Sequence, residues 1–276
     1  MIETSPAKES VRRYFDREAA DYLDAYGDQR TGQVRHDAFV ERRALVLELT
    51  PRPARRILDI GAGPGVFTPH LLARGATCSV VDLSFEMVAA AKREIAAASA
   101  ASGPATSFMV ADIDRLPFAA GSFDAALCVG VLQYLPSIDA ALGELARVVA
   151  PGGHVIVTFP NARSPLNLVH RAAVALARPA TAVGRRLGVA RDADPSRLTF
   201  RRDIPNRWMS ASQIERRAHA AGLRVEQTIY HLLQFPFRVP GMSAAVDGWD
   251  RLVRGRAPRG SLAVLGREGI MRLVRE

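Results

Sequence analysis

The chain contains only two cysteines, Cys78 and Cys128, among 276 residues, and they show no CxxC or other paired spacing. A disulfide scaffold, a zinc knuckle and a CxxC redox centre are therefore excluded as its organising principle. Histidine is scarce too, six in all with no HExxH pair, so no dedicated metal site is expected. Each cysteine lies inside an apolar run that reads as a strand, which makes both of them buried thiols without chemistry of their own. No stretch approaches the ~18 uninterrupted apolar residues that a membrane-spanning helix needs. The N-terminal MIETSPAKESVRRYFDREAADYL has no apolar core of signal-peptide type either. The expectation is a soluble, cytoplasmic protein.

What is present is ample core material: 48% of residues are hydrophobic and 24% charged, enough for one elaborated domain. The net charge of +9 is unevenly spread. Residues 1–161 carry 16 basic and 19 acidic side chains, net −3, whereas residues 162–276 carry 21 and 9, net +12. The basicity belongs to the C-terminal part, as either a solvated face or a docking face for an anionic partner.

From Arg55 to Pro160 short apolar runs alternate with helical stretches: RRILDI, a helix from Val66, TCSVVDL, a helix through Met87 and Ala91, ATSFMVAD, FDAALCV, a helix through Leu142 and Val149, then HVIVTF. Repeated strand–helix–strand units imply an α/β fold with a doubly wound, mostly parallel sheet, because parallel strands need right-handed crossovers. Helices are expected over Pro6 to Gly27 and Asp37 to Leu49, with Tyr14, Phe15, Tyr22 and Tyr26 forming an apolar stripe on the first. Beyond Pro160 come a basic insertion to about Pro205, a helix from Ser210 to Ala221 stopped by Gly222, the apolar run RVEQTIYHLL, and SLAVLG as the expected final strand. The expected organisation is a helical cap at 1–50, a cofactor-binding core at 51–161, a cap or lid insertion at 162–209, and completion of the core at 210–276.

Asp59-Ile60-Gly61-Ala62-Gly63-Pro64-Gly65 follows the first strand directly and opens into a helix, so its glycines form a turn where backbone approaches a ligand. A dinucleotide fingerprint would place glycine at 66, which is valine here. The second strand ends in Asp82, where a carboxylate can grip both ribose hydroxyls, and the third ends in Asp112-Ile113, suited to an adenine edge. Three acids at three successive strand ends describe a site for a nucleoside without phosphates, which they would repel.

LDIGAGPG, VVDLS, ADIDRLPF, SFDAALCVGVLQYL and ELARVVAPGGHVIVTFPN resemble, in order, the motifs of class I S-adenosylmethionine-dependent methyltransferases. The resemblance covers residues 10–161 well and implies a seven-stranded, mostly parallel sheet with an inserted cap after strand five. It also implies S-adenosylmethionine as cofactor. Carried over by position, Gly61, Gly63 and Gly65 would line its methionine and ribose side, with Asp59 ordering the loop. Asp82 would hold the ribose, Leu83 pack on the adenine, Asp112 and Ile113 read its edge, and Val129 offer a carbonyl to the methionine amine. Tyr14 and Tyr22 match aromatic positions that close over the cofactor, or else form a packing stripe.

The acceptor is less legible. The position after strand four that is often histidine in quinone-type relatives is Gln133, which can orient an acceptor but cannot take its proton at neutral pH. His170 and His231 are the alternative bases. Neither the Asn/Asp-Pro-Pro-aromatic motif of base N-methyltransferases nor a Pro-Cys nucleophile is present, which disfavours nucleic acid and favours a small, lipophilic or aromatic acceptor methylated on oxygen. TFPNARSPLNLVH resembles the segment that builds a cap over the pocket in ubiquinone-pathway relatives. In the insertion Arg171, Arg178 and Arg185 recur every seven residues beside Leu168, Val169, Val174 and Leu176, as a solvated cap surface or a face for peripheral contact with anionic membrane. Three readings stay open: a small-molecule O-methyltransferase, an RNA or protein methyltransferase docking through the basic half, and a cofactor-binding homologue with a non-methylating reaction. Oligomeric state is not legible.

Overall fold

The computed structural model describes residues 5–26, 34–98, 106–169, 171–172, 204–232 and 265–276, with side chains from 38 onward and in 5–19. Two helices, α1 (Pro6–Tyr26) and α2 (Val34–Leu49), precede an alternating series. It runs β1 (Arg56–Ile60), α3 (Thr68–Leu72), β2 (Thr77–Asp82), α4 (Phe85–Ala98), β3 (Thr106–Val110), β4 (Phe123–Cys128), α5 (Asp139–Val148) and β5 (Val149–Pro160). After the insertion come α6 (Ala211–Ala220), β6 (Leu223–His231) and β7 (Glu268–Arg275). The seven strands form one sheet in the order β3-β2-β1-β4-β5-β7-β6, parallel except for β7, which runs antiparallel to both neighbours.

The strand sequences are apolar nearly throughout because both faces of the sheet are covered. Alternation along each strand divides them. Leu58, Ile60, Ala126, Cys128, Val155 and Val157 enter the core under α5 and α6. Ile57, Val80, Leu127 and Ile156 enter the opposite core under α2, α3 and α4. The two cysteines lie in different cores, and burial raises both thiols, Cys78 to about 12. They are inert packing groups.

Three expectations are corrected. The helix expected from Val66 starts only at Thr68 and lasts five residues, since the glycine turn extends past Gly65 and Pro69 suits only the first turn of a helix. The helix through Val149 stops at Val148, and β5 begins there, earlier than HVIVTF. The last strand is Glu268–Arg275, whereas most of SLAVLG lies outside the described residues. α6 starts as its sequence directs: Ser210 accepts from the Gln213 N–H, and the Gln213 side chain accepts from the Ser210 N–H, a reciprocal capping box.

Residues 162–208 leave and re-enter the fold at one point. Asn161 and Met209 pair as a parallel bridge, with Met209 N–H donating to Pro160 and Ala162 N–H to Met209. On the returning side Arg207 N–H donates to the Gln133 carbonyl. Among the described residues no helix is long and apolar enough to cross a membrane.

Candidate cofactor and acceptor site

β3, β2, β1 and β4 end side by side, and their carboxyl-end loops enclose a cleft of about 970 Å³ including its open mouth. Ile60 to Pro64, Asp82 to Ser84, Ala111 to Ile113 and Val129 to Val131 supply the floor. One face of α1 supplies Lys8, Val11, Arg12 and Phe15, spaced as one helical stripe, and α2 supplies Arg42.

The glycine turn is shaped by two demands. At Gly61 φ is +63° and an added Cβ would stand 2.2 Å from the Val131 Cγ2, so the loops after β1 and β4 meet too closely for any side chain. At Gly63 φ is +55° but an added Cβ would meet nothing within 4 Å, because that face is open space. The Gly63 N–H is turned inward instead, donating to Asp82 Oδ2 at 2.9 Å. The other oxygen of Asp82 accepts from the Ser84 N–H at 2.9 Å. One carboxylate thus couples the first two strand-end loops.

These acids are costly to ionise. Burial pushes Asp59 up to about 7, against the hydrogen bond from the Thr68 hydroxyl at 2.9 Å, and the nearby Asp82 adds to the rise. Burial likewise pushes Asp82 up to about 6, against its backbone donors. Such a pair favours a ligand that supplies positive charge or hydroxyl donors and disfavours phosphate.

At the third strand end Asp112 Oδ1 accepts from the Asp114 N–H at 3.0 Å and from Lys8 Nζ at 2.5 Å, and Lys8 also meets Asp114. Lys8 is 5% exposed. Further along α1, Asp16 accepts from the Ser84 hydroxyl at 2.6 Å. The helix is therefore pinned across the cleft at two strand ends. Between those pins Phe15 stacks edge-on against Tyr134, with ring centroids 5.5 Å apart. With Val131 and Leu135 they make the apolar wall.

The methyltransferase domain family matches residues 58–157. A demethylmenaquinone methyltransferase of Beutenbergia cavernae is 38% identical over 117 residues, 42% of this chain and 45% of that protein. A second protein of that name, from Mycolicibacterium gilvum, is 32% identical over 184 residues, 66% of this chain and 73% of the relative. The chain belongs to the class I S-adenosylmethionine-dependent methyltransferase family. It spans less than half the length of the Beutenbergia relative. Among solved structures, a magnesium protoporphyrin IX methyltransferase of Synechocystis PCC 6803 with bound S-adenosylhomocysteine shares the fold at 17% identity. Its TM-score is 0.62, covering 98% of this chain and 100% of that one.

Within this methyltransferase fold, Asp59, Gly61, Gly63, Asp82, Leu83, Asp112, Ile113 and Val129 all line the one cleft. Gly65 does not; it packs behind the loop, where an added Cβ would come within 2.9 Å of Ile95. Tyr14 is not among the lining residues either. It stacks edge-on against Phe15, the adjacent residue that does face the cleft, since the helix face is set by Lys8, Val11 and Arg12 rather than by the tyrosines. Tyr22 lies on α1, but its side chain is outside the described portion, as is His170.

The proposed catalytic side chains are likewise displaced. Gln133 belongs to a single 3₁₀ turn, Leu132–Tyr134, is buried, and is not among the residues lining the cleft, although its neighbour Tyr134 is. His231 is fully buried at the end of β6, its Nε2 3.0 Å from Glu268, and does not line the cleft. Arg171 lies over the Trp208 ring, 5.7 Å from its centroid, while Arg178 and Arg185 are outside the described residues. Lys8, Arg12 and Arg42 went unread in the sequence, and Phe15 was read only as part of a packing stripe. Lys8, Val11, Arg12 and Phe15 carried a signal, the i, i+3, i+4, i+7 face of α1, which the more conspicuous tyrosines obscured.

Proposed function

We propose that the protein transfers the methyl group of S-adenosylmethionine to an oxygen of a small, lipophilic or aromatic acceptor. The observation that carries this is the row of carboxylates at the ends of β1, β2 and β3 beside a wall of Phe15, Val131, Tyr134 and Leu135. On this reading Asp82 grips the two ribose hydroxyls, Leu83 and Ile113 sandwich the adenine, and Asp112 Oδ2 accepts from its amino group. Gly61 and Gly63 let the methionine part approach the loop backbone, and Val129 offers its carbonyl to the amine. The acidic surroundings match a cofactor with a cationic sulfonium and ammonium.

Methyl transfer is an in-line displacement on an already activated carbon, so alignment and exclusion of water are the protein's main contribution. α1, pinned by Lys8 and Asp16, closes the cleft from above. No imidazole lines the cleft among the described residues, which supports an acceptor acidic enough to arrive ionised, such as a phenol or carboxylic acid. The relatives named for demethylmenaquinone add weight to a lipophilic aromatic acceptor.

The test is incubation of purified protein with methyl-labelled S-adenosylmethionine and a panel of phenols, hydroquinones and aromatic acids, each paired with its O-methyl derivative. Label should enter an ether or ester. Turnover confined to amines, RNA or protein would refute the oxygen assignment, and no cofactor binding at all would refute the site.

A further inference from the structure

A lysine is almost never fully buried without a paired charge, and Lys8, in the first turn of α1, is 5% exposed. Its ammonium meets the chain again just past the end of β3, where it lies 2.5 Å from Asp112 Oδ1 and also contacts Asp114 Oδ2. The two carboxylates face differently: Asp112 lines the cleft and Asp114 does not. The Asp114 N–H also donates to Asp112 Oδ1, at 3.0 Å. A backbone donor from within the loop and a cation from α1 thus converge on one oxygen. Asp112 Oδ2 is left without a protein partner among the described residues.

A strap for α1 would not need this arrangement. The helix is already held by Asp16, which accepts from the Ser84 hydroxyl at 2.6 Å, and by the edge-on pair of Phe15 and Tyr134. Buried ion pairs also add little to stability, because desolvation offsets most of their attraction. What the two donors accomplish is to fix the plane of the carboxylate. With Oδ1 held from two sides, rotation about the Cβ–Cγ bond is hindered and Oδ2 keeps one direction. A carboxylate accepts and does not donate, so an oxygen fixed in this way selects an N–H group over a C–H or a carbonyl at the same place. Orienting the group beforehand also removes the entropy that would be lost in orienting it during binding.

We propose that Lys8 is a positioning residue for base recognition, holding Asp112 Oδ1 so that Oδ2 is aimed at the exocyclic amino group of the bound nucleoside. This rests on the cofactor reading above, in which Asp112 accepts from that amino group. The cation that orients the reading carboxylate is carried on the helix that covers the cleft, so selection of the base and docking of α1 are one event.

The test compares, by calorimetric titration, S-adenosylhomocysteine with its 6-deamino analogue, which carries hydrogen in place of the amino group. Four full-length proteins are used: wild type, Lys8→Met, Asp112→Asn, and the double variant Lys8→Met with Asp114→Asn. Methionine keeps most of the buried volume of the lysine stem. The double variant removes one charge of each sign, so it carries the test if a melting curve shows Lys8→Met unfolded.

Wild type should prefer the amino form by about tenfold or more, the loss expected when a hydrogen bond to a charged group is removed. In Asp112→Asn the amide oxygen turns to Lys8 and the Asp114 N–H, its NH2 replaces Oδ2, and the preference disappears. Both Lys8 variants should lose most of the preference as well, by weakening S-adenosylhomocysteine far more than the analogue. A residue that merely straps α1 would weaken both ligands by the same factor and leave the ratio as in wild type. That result, or unchanged affinity for both, overturns the inference while the assignment of Asp112 stands. A wild type that binds neither nucleoside or shows no preference, or an Asp112→Asn variant that keeps the preference, defeats the Asp112 assignment first and this inference with it.

Discussion

Replacing Asp82 by alanine separates binding from folding, because in the free protein this carboxylate is a burden. Its pKa is raised from 3.8 to about 6, and at ~1.4 kcal/mol per unit its ionised form costs the apo fold roughly 3 kcal/mol at neutral pH. The sign follows from the direction of the shift. An acid whose folded pKa lies above its unfolded value contributes stability at low pH and loses it as pH climbs from about 4 to about 6. Asp82→Ala relieves that cost and forfeits the two backbone hydrogen bonds from Gly63 and Ser84, each worth ~1 kcal/mol net. The apo melting temperature at pH 7.5 should therefore change little or rise. The bound state behaves oppositely. Losing a charged hydrogen bond to the ribose costs ~1.5–3 kcal/mol, a ten- to about 150-fold rise in Kd for S-adenosylhomocysteine. Calorimetric titration across pH 5 to 8 adds a second signature. Wild-type affinity should fall as pH drops through 6 and the carboxylate protonates, and Asp82→Ala should flatten that limb. Unchanged affinity in the variant, or a wild-type profile flat through 6, would refute the ribose assignment.

Gly61→Ala and Gly63→Ala form a contrasting pair, both strained by ~1–2 kcal/mol at positive φ. Only Gly61→Ala also collides with Val131, so it should lower the melting temperature clearly more than Gly63→Ala, whereas Gly63→Ala should act mainly on S-adenosylhomocysteine affinity by projecting into the cleft. Equal melting temperatures for the two would sink the close-approach argument. Ser210→Ala removes one half of the α6 capping box and should cost ~1 kcal/mol in urea unfolding with cofactor affinity intact.

The α/β class and the order of elements were legible because the strands are buried on both faces and announce themselves as apolar runs broken by glycine turns. The β7 strand was missed for the opposite reason. EGIMRLVR carries a glycine, two arginines and a glutamate, and only its place between β5 and β6, which no local pattern encodes, makes it a strand. The acids Asp59, Asp82 and Asp112 were readable because each stands at or beside the end of an apolar run, and the structure brings all three to one cleft. The Arg42 side of the cleft was not. Arg42 meets Glu268 across 226 residues of chain, a pairing created by α2 folding back over the sheet rather than by any spacing. Sequence also ranked side chains by chemistry rather than by direction. Gln133 and His231 had suitable functional groups, but both are buried and neither lines the cleft.

The bridge between Asn161 and Met209 makes the chain between them an exchangeable cassette. Ser164 and Asn167 at its start are buried and bond to Leu265 and Arg267 ahead of β7, so they belong to the frame; beyond Asn167 a longer stretch raises the loop-closure entropy cost by only ~0.6 kcal/mol for each doubling of length. The return leg is tied through Arg207 to the carbonyl of Gln133, beside the apolar wall and away from the glycine turn. A lineage is therefore free to rewrite what is presented there while inheriting the row of strand-end carboxylates untouched. Grafting the corresponding stretch from a relative between Asn167 and Met209 tests in the laboratory whether it sets acceptor choice.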